Sequence, residues 1–522
     1  MLSPAFLLLV LGSAMAGRRE HMPPPEAPVV QEDRVEITVD ARNQWTVVPA
    51  GMEGLVLLGT DNRGASWTLV RYDTGFRQQW VSTWDAPSRR VRLVDHALSD
   101  GVLTLLLHQP KRAAFTLVEV QLHDGSVQEH SLTAPSRLRS TWSVDVVGDD
   151  RYVLSAVRRP TARRLAEREL LHVDATGRVA VVPIDDHLAA RSVEVLRITT
   201  DEQADAMDLS LATEKRNRRS VHTVSVRDGM VTDRRTLPPP VDGSHNLLTA
   251  QRVRTAAADM MVGTYAAGAR GTGAQGLFVS KLSDDGSEAW RRTISFTDLD
   301  RFFDYMPKRR QARVERRAQR KRERGGDLHL KYLLNLHDVV QTDSGMLVIG
   351  EAFYPEYETR QRVVTYVENG VTRTRIEYYT VFVGYRYTHA LVVALDEHGE
   401  TLWDASFEIG NILSYAIRDR VQVDVDGDRI TMVYAYGGRV FSKVATPEGI
   451  LDEKTALATE AVGGGRVRRT WATHTEHWYD QHFLIWSYDK VVGGQGGRRK
   501  VFSFSTVSQR DPAGETPDST KH

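Results

Sequence analysis

Between residues 34 and 508 short apolar runs alternate with polar turns, and the runs have the length and composition of strands. Eight of them stand out. They are "GLVLLGT" from Gly54, "GVLTLLLH" from Gly101, "RYVLSAV" from Arg151, "AMDLSLA" from Ala206, "DMMVGTY" from Asp259, "GMLVIGE" from Gly345, "RITMVYA" from Arg429 and "HFLIWSY" from His482. Each follows a turn, and the segments ahead of them, such as "RRVRLVDHAL" and "LHDVVQT", also read as strands.

A second phrase follows each of the first seven runs: a strand, a tight turn and another strand, as in "LVVALDEHGETLW" at 391–403. Its turn glycine recurs at Gly75, Gly125, Gly177, Gly229, Gly286, Gly399 and Gly449, with separations of 50, 52, 52, 57, 113 and 50 residues. A period near 50 that skips one beat predicts an all-β fold, a single β-propeller of four-stranded antiparallel blades with insertions in one blade. Eight blades are favoured over seven. The eighth unit has "KVFSFSTVS" (500–508) as its third strand and lacks a fourth, while "RVEITVD" (34–40) precedes the first unit without a partner. The expected solution is that 34–40 completes the last blade and closes the ring, which removes an open edge.

The phrase "ALDEHGETLW" resembles the blade motif of quinoprotein dehydrogenase propellers and of the related outer-membrane assembly lipoprotein propeller, in which Ala, Asp, Gly and Trp recur at near-fixed spacing. The resemblance covers the repeats and implies a Trp packed between blades, here Trp403, Trp290 and Trp80. It implies an exported propeller but neither family's activity. The quinoproteins' cysteine pair and the lipoprotein's acylated cysteine are missing from a chain with no cysteine.

The ends support export. Residues 1–16, "MLSPAFLLLVLGSAMA", read as a signal peptide with a small-x-small cleavage site after Ala16. Residues 17–33 read as a Pro-rich linker, 34–508 as the propeller and 509–522 as a disordered tail. The apolar run at the start is too short to span a bilayer, so no transmembrane segment is expected in the mature chain, which is placed in the periplasm or outside the cell. Sixty-eight basic and 68 acidic residues balance, so overall charge selects no partner.

The skipped beat comes from two insertions at the sixth blade, about 298–335 and about 354–388. One joins a fourth strand to the next first strand and the other joins second and third strands, so both emerge at the same end of the meander. Long connections on a rigid scaffold are where binding tends to reside. The first insertion has ten basic and two acidic side chains between Lys308 and Arg324, among them Arg309, Arg310, Arg313, Arg316, Arg317 and Arg320. Its composition favours a helix ended by Gly325 and Gly326, with Ala312, Val314 and Ala318 too few to pack it down, hence a projecting helix or a disordered arm. The second insertion has the hairpin turn Asn369-Gly370 and is rich in tyrosine, including Tyr354, Tyr357, Tyr379, Tyr385 and Tyr387, which suit an interface or simply pack the hairpin.

His337, Asp338, Glu351 and His389 flank the insertions and could converge near the channel mouth as an acid/base or metal site, although structural hydrogen bonding suits their spacing better. "DVDGD" (424–428) lacks the later ligands of a calcium loop and reads as turn chemistry. No nucleophile elbow, zincin helix, phosphate loop or dinucleotide fingerprint occurs, so no cofactor and no metal are expected. The leading expectation is a monomeric, non-enzymatic propeller that binds a protein or an anionic polymer, such as polysaccharide or lipopolysaccharide phosphate. Nucleic acid fits poorly because no aromatics interleave with the arginines. The alternative is a channel-mouth hydrolase, lyase or oxidoreductase using His337, Glu351 and His389.

Overall fold

The structure is a computed structural model. It describes residues 27–510 apart from 40–42, 62–63, 87–90, 110–113, 133–139, 157–167, 185–187, 189–192, 202–205, 216–217, 241–243, 256–257, 269–270, 326–327, 329, 331, 411 and 495–496. The expected signal peptide, most of the linker and nearly all of the tail lie outside the described residues.

Eight antiparallel sheets follow one another along the chain, spanning 43–85, 92–132, 140–182, 193–237, 245–295, 333–408, 422–458 and 466–509. The first seven are four-stranded meanders in sequence order. The sixth gains two short flanking strands, Val340–Thr342 and Leu413–Ser414. The fourth strand of the eighth sheet is Val29–Thr38, antiparallel to Arg498–Gln509 with Val29 opposite Gln509 and Thr38 opposite Val501. This strand begins inside the stretch expected to be linker, because Val29 is fully buried against Val433, Phe483 and Val507.

The central strands are apolar on both faces, and each sheet shares its core with the next. Leu58 and Leu69 of the first sheet pack with Leu105 and Val118 of the second. Met260 and Val279 of the fifth pack with Val348 and Val393 of the sixth, and Ile349 and Val392 of the sixth pack with Met432 and Ala445 of the seventh. The series ends with Leu57 and Val70 of the first sheet against Phe502 and Phe504 of the eighth. A succession of meanders stacked face to face in this way is the organisation of a β-propeller.

The repeated turn glycine does two jobs. Gly125 has φ +72, and a Cβ there would lie 2.7 Å from the Trp80 ring of the preceding sheet, whose indole N–H donates to the Leu122 carbonyl at 2.7 Å. Glycine is therefore required both for the left-handed turn and for the room it leaves. His172 occupies the same place over Gly229, Arg235 over Gly286 and Trp290 beside Gly399. Trp403 also packs between neighbouring sheets as expected, bordering the core shared by sheets six and seven.

Phe504 meets Phe76 edge-on at 4.9 Å and Tyr72 at 5.3 Å, across the seam between the last and first sheets. Phe504→Ala is expected to cost about 3–5 kcal/mol in urea unfolding. Deleting Val29–Thr38 should be worse, giving aggregation from the bared Arg498–Gln509 edge, read by light scattering.

Candidate functional site

The sixth sheet carries both departures from the repeat. Its second and third strands, Gly345–Glu368 and Val371–Leu395, are 24 and 25 residues long and continue as a ribbon past their neighbours. Asn369 and Gly370, at φ 53 and 78, close it with two left-handed residues, as the dipeptide requires. Tyr354, Tyr357, Tyr378 and Tyr379 are exposed along it. Tyr385 packs edge-on against Phe353 and Phe382 at the ribbon's base. Tyr387 is buried: its hydroxyl donates to the Arg418 carbonyl and accepts from the Arg418 N–H, both at 2.9 Å. It holds the chain entering the seventh sheet and has no surface to offer.

The first insertion begins with a compact apolar stretch. Phe296, Phe302, Phe303 and Met306 are buried in the core between sheets five and six. Helix α1, Lys308–Arg322, follows, and Gly325 at φ 73 ends it. The helix lies on the propeller and does not project from it: Ala318 is 2% exposed and Val314 packs on the same core. Two side chains suffice because the 296–307 stretch has already built the platform. Gln311 also donates to Asp304 at 2.9 Å. All ten cations between Lys308 and Arg324, including Arg309, Arg310, Arg313, Arg316, Arg317 and Arg320, are exposed. Among the described residues only Arg322 of these has an ion-pair partner, Asp298 at 3.3 Å.

The four ionisable residues flanking the insertions do not form one site. Antiparallel partners share a face of a sheet, and neighbours along a strand alternate. Glu351 pairs with Ala390 and faces the seventh sheet; His389 pairs with Ala352 and faces the fifth. Strand alternation thus separates Glu351 from His389. Asp338 turns elsewhere, to Arg197 at 2.7 Å.

His337 and Glu351 do meet. The imidazole Nε2–H donates to Glu351 Oε1 at 3.0 Å, and the same oxygen accepts the backbone N–H groups of Arg420 and Val421 at 2.6 and 2.7 Å. Burial pulls the His337 pKa down, but the Glu351 hydrogen bond and the charge of Asp419, 3.5 Å away, outweigh it and hold the pKa above its ordinary value. A buried carboxylate spanning three donors fixes the approach to the seventh sheet to the sixth.

His389 has the opposite character. It is wholly buried, stacked on Tyr305 at 3.8 Å and met edge-on by Phe302 and Tyr332 at 5.0 and 5.8 Å. Burial pushes its pKa down to about 3, so it is neutral and Nδ1 shares a hydrogen bond with Thr388 Oγ1 at 3.0 Å. The histidine anchors the platform of α1 on the base of the ribbon.

Two polar clusters escape a linear reading because they join neighbouring repeats through residues about 50 or more positions apart. Asp424, expected in a turn, lies in the strand Gln422–Asp426 and receives His477 at 3.2 Å and Gln509 at 2.6 Å from the eighth sheet. Asp95 and Asp145 line a cavity of about 670 Å³ with His96 and Asp100. Burial and the charge of Asp95 push Asp145 up to about 7. No group of three His, Cys, Asp or Glu among the described residues could hold a metal ion.

His389 is expected to tilt the pH dependence of stability. Its folded pKa lies below that of the unfolded chain, so the unfolded state takes up a proton first as pH falls below about 6.5. The resulting loss is up to about 1.4 kcal/mol per pH unit, continuing toward pH 3. His389→Phe should remove this component, so that urea unfolding at pH 7 and pH 4.5 differs less than in the native protein.

The chain matches no described protein family and no curated protein. Solved structures similar to it include the polysaccharide lyase Uly1 (10% identity, 92% of this chain and 100% of that chain, TM-score 0.39) and the Dos1 propeller (8%, 80% and 91%, 0.38). A third is the β-propeller domain of the Trilobed protease from Pyrococcus furiosus (10%, 78% and 95%, 0.33). Likenesses this distant assign no activity; the propeller organisation rests on the sheet order and the shared cores.

Proposed function

We propose that the protein is an exported, eight-bladed propeller closed by its N-terminal strand, and that it acts by binding rather than by catalysis. Its partner is a protein or an anionic envelope polymer, engaged through the end of the ring that carries the sixth-sheet insertions. Closure is supported by the pairing of Val29–Thr38 with the eighth sheet and by the core shared between the eighth and first sheets.

One observation carries the binding reading. Helix α1 is seated on a rigid core, yet it and the Arg324 that follows it turn ten cations outward with a single ion pair among the described residues. Such a run repels itself unless a ligand supplies counter-charge, and guanidinium groups suit the planar oxygens of phosphate and carboxylate. The catalytic alternative loses its third group, because His389 is a neutral side chain in an aromatic cage on the face opposite Glu351.

Replacing Arg309, Arg313, Arg316 and Arg320 together by Gln leaves Val314 and Ala318 in place. The variant should lose most low-salt affinity for polyphosphate and show a flatter dependence on salt, read by fluorescence anisotropy. Affinity and salt slope equal to those of the native protein would refute the electrostatic reading.

A further inference from the structure

Charge is sorted between the two ends of the ring. In a meander, the turns joining first to second and third to fourth strands lie at one end. At that end the described turn residues include sixteen acidic side chains and two basic ones, Arg77 and Arg178. Asp100, Asp228, Asp285 and Glu397 are examples. The opposite end carries α1. The acidic turns and the cations of the α1 segment thus lie at opposite ends of the meanders.

The ribbon rises from the basic end and is itself two-faced. Its register places Thr359, Gln361, Val363, Thr365 and Val367 opposite Thr380, Tyr378, Ile376, Thr374 and Thr372. That face carries no charge, and Val363, Val367, Ile376 and Tyr378 are 57–71% exposed on it. The other face neutralises itself: Arg362 and Arg375 pair with Glu377, Arg360 with Glu358, and Arg373 with Glu368. Charge has been withheld from one face only.

We infer that the basic end docks on an anionic lipid bilayer, with the uncharged ribbon face entering the headgroup region and α1 lying against the phosphates. This inference rests on the anion-binding reading above and names its partner. Stable peripheral attachment takes two signals, apolar insertion and a polybasic patch, and both are present at the same end. The acidic end faces away, so repulsion from the bilayer fixes the orientation. An uncharged exposed ribbon face and a row of exposed cations at the same end, with the acidic turns at the other, favour an extended planar surface over a compact protein partner.

Flotation of the purified protein with phosphatidylcholine vesicles, with and without phosphatidylglycerol, tests this. Affinity is expected to rise at least about tenfold with phosphatidylglycerol and to collapse in high salt. The chain has no cysteine, so Val367→Cys and Asp228→Cys can each carry one environment-sensitive dye. Emission should shift to the blue on anionic vesicles at residue 367 and stay unchanged at residue 228. Val363→Asp with Ile376→Asp should lower vesicle affinity about tenfold or more while leaving polyphosphate binding intact. Equal binding to both vesicle types, or an unshifted dye at residue 367 on bound vesicles, overturns the bilayer assignment. Polyphosphate binding that persists in that case leaves the broader anion-binding reading standing and points to a soluble polymer; loss of both removes both.

Discussion

The structure depends on each sheet lending its two faces to its neighbours. No four-stranded sheet here could be stable alone, since its central strands bury apolar side chains on both sides. Leu347 and Ile349 point to one neighbour and Met346 and Val348 to the other. The same requirement explains the first strand's place at the far end of the sequence. Without Val29–Thr38, the eighth sheet would leave Arg498–Gln509 as an open edge beside the core that it shares with the first sheet.

A scaffold held by shared cores tolerates a large departure in one unit. The sixth sheet keeps its apolar strand centres, so its ends are free to extend, and two polar groups buried at those ends tie the chain around them together. Glu351 gathers three donors on one oxygen, while His389 is held neutral among aromatic rings. Both fix the origin of an insertion or the path of the chain after it. Removing such a group would leave buried partners unsatisfied, which costs more than the contact itself contributes.

The acidic turns at one end of the meanders have a local origin. Asp73, Asp174 and Asp396 each accept backbone N–H groups within their own turn, from Arg77, Arg178 and Glu400 respectively. Aspartate is favoured there because its carboxylate closes the turn before glycine reverses it. A charge field over a whole end can therefore arise from repetition of one turn. The cations of α1 have no such role in closing turns.

The sequence by itself determined the repeat, its strand order, the partner for the missing strand and the ribbon with its Asn-Gly turn. These follow from apolar periodicity and turn chemistry, which act over a few residues. It did not reveal that α1 lies down, because the platform of Phe302, Phe303 and Met306 becomes one surface only when sheets five and six pack. Nor did it show that Glu351 and His389 part company, or that Asp424 meets His477, since those facts depend on strand register and on contacts between sheets. Tertiary structure decided which charged groups are consumed in holding the sheets together and which remain exposed, because burial and pairing join residues that the chain keeps far apart.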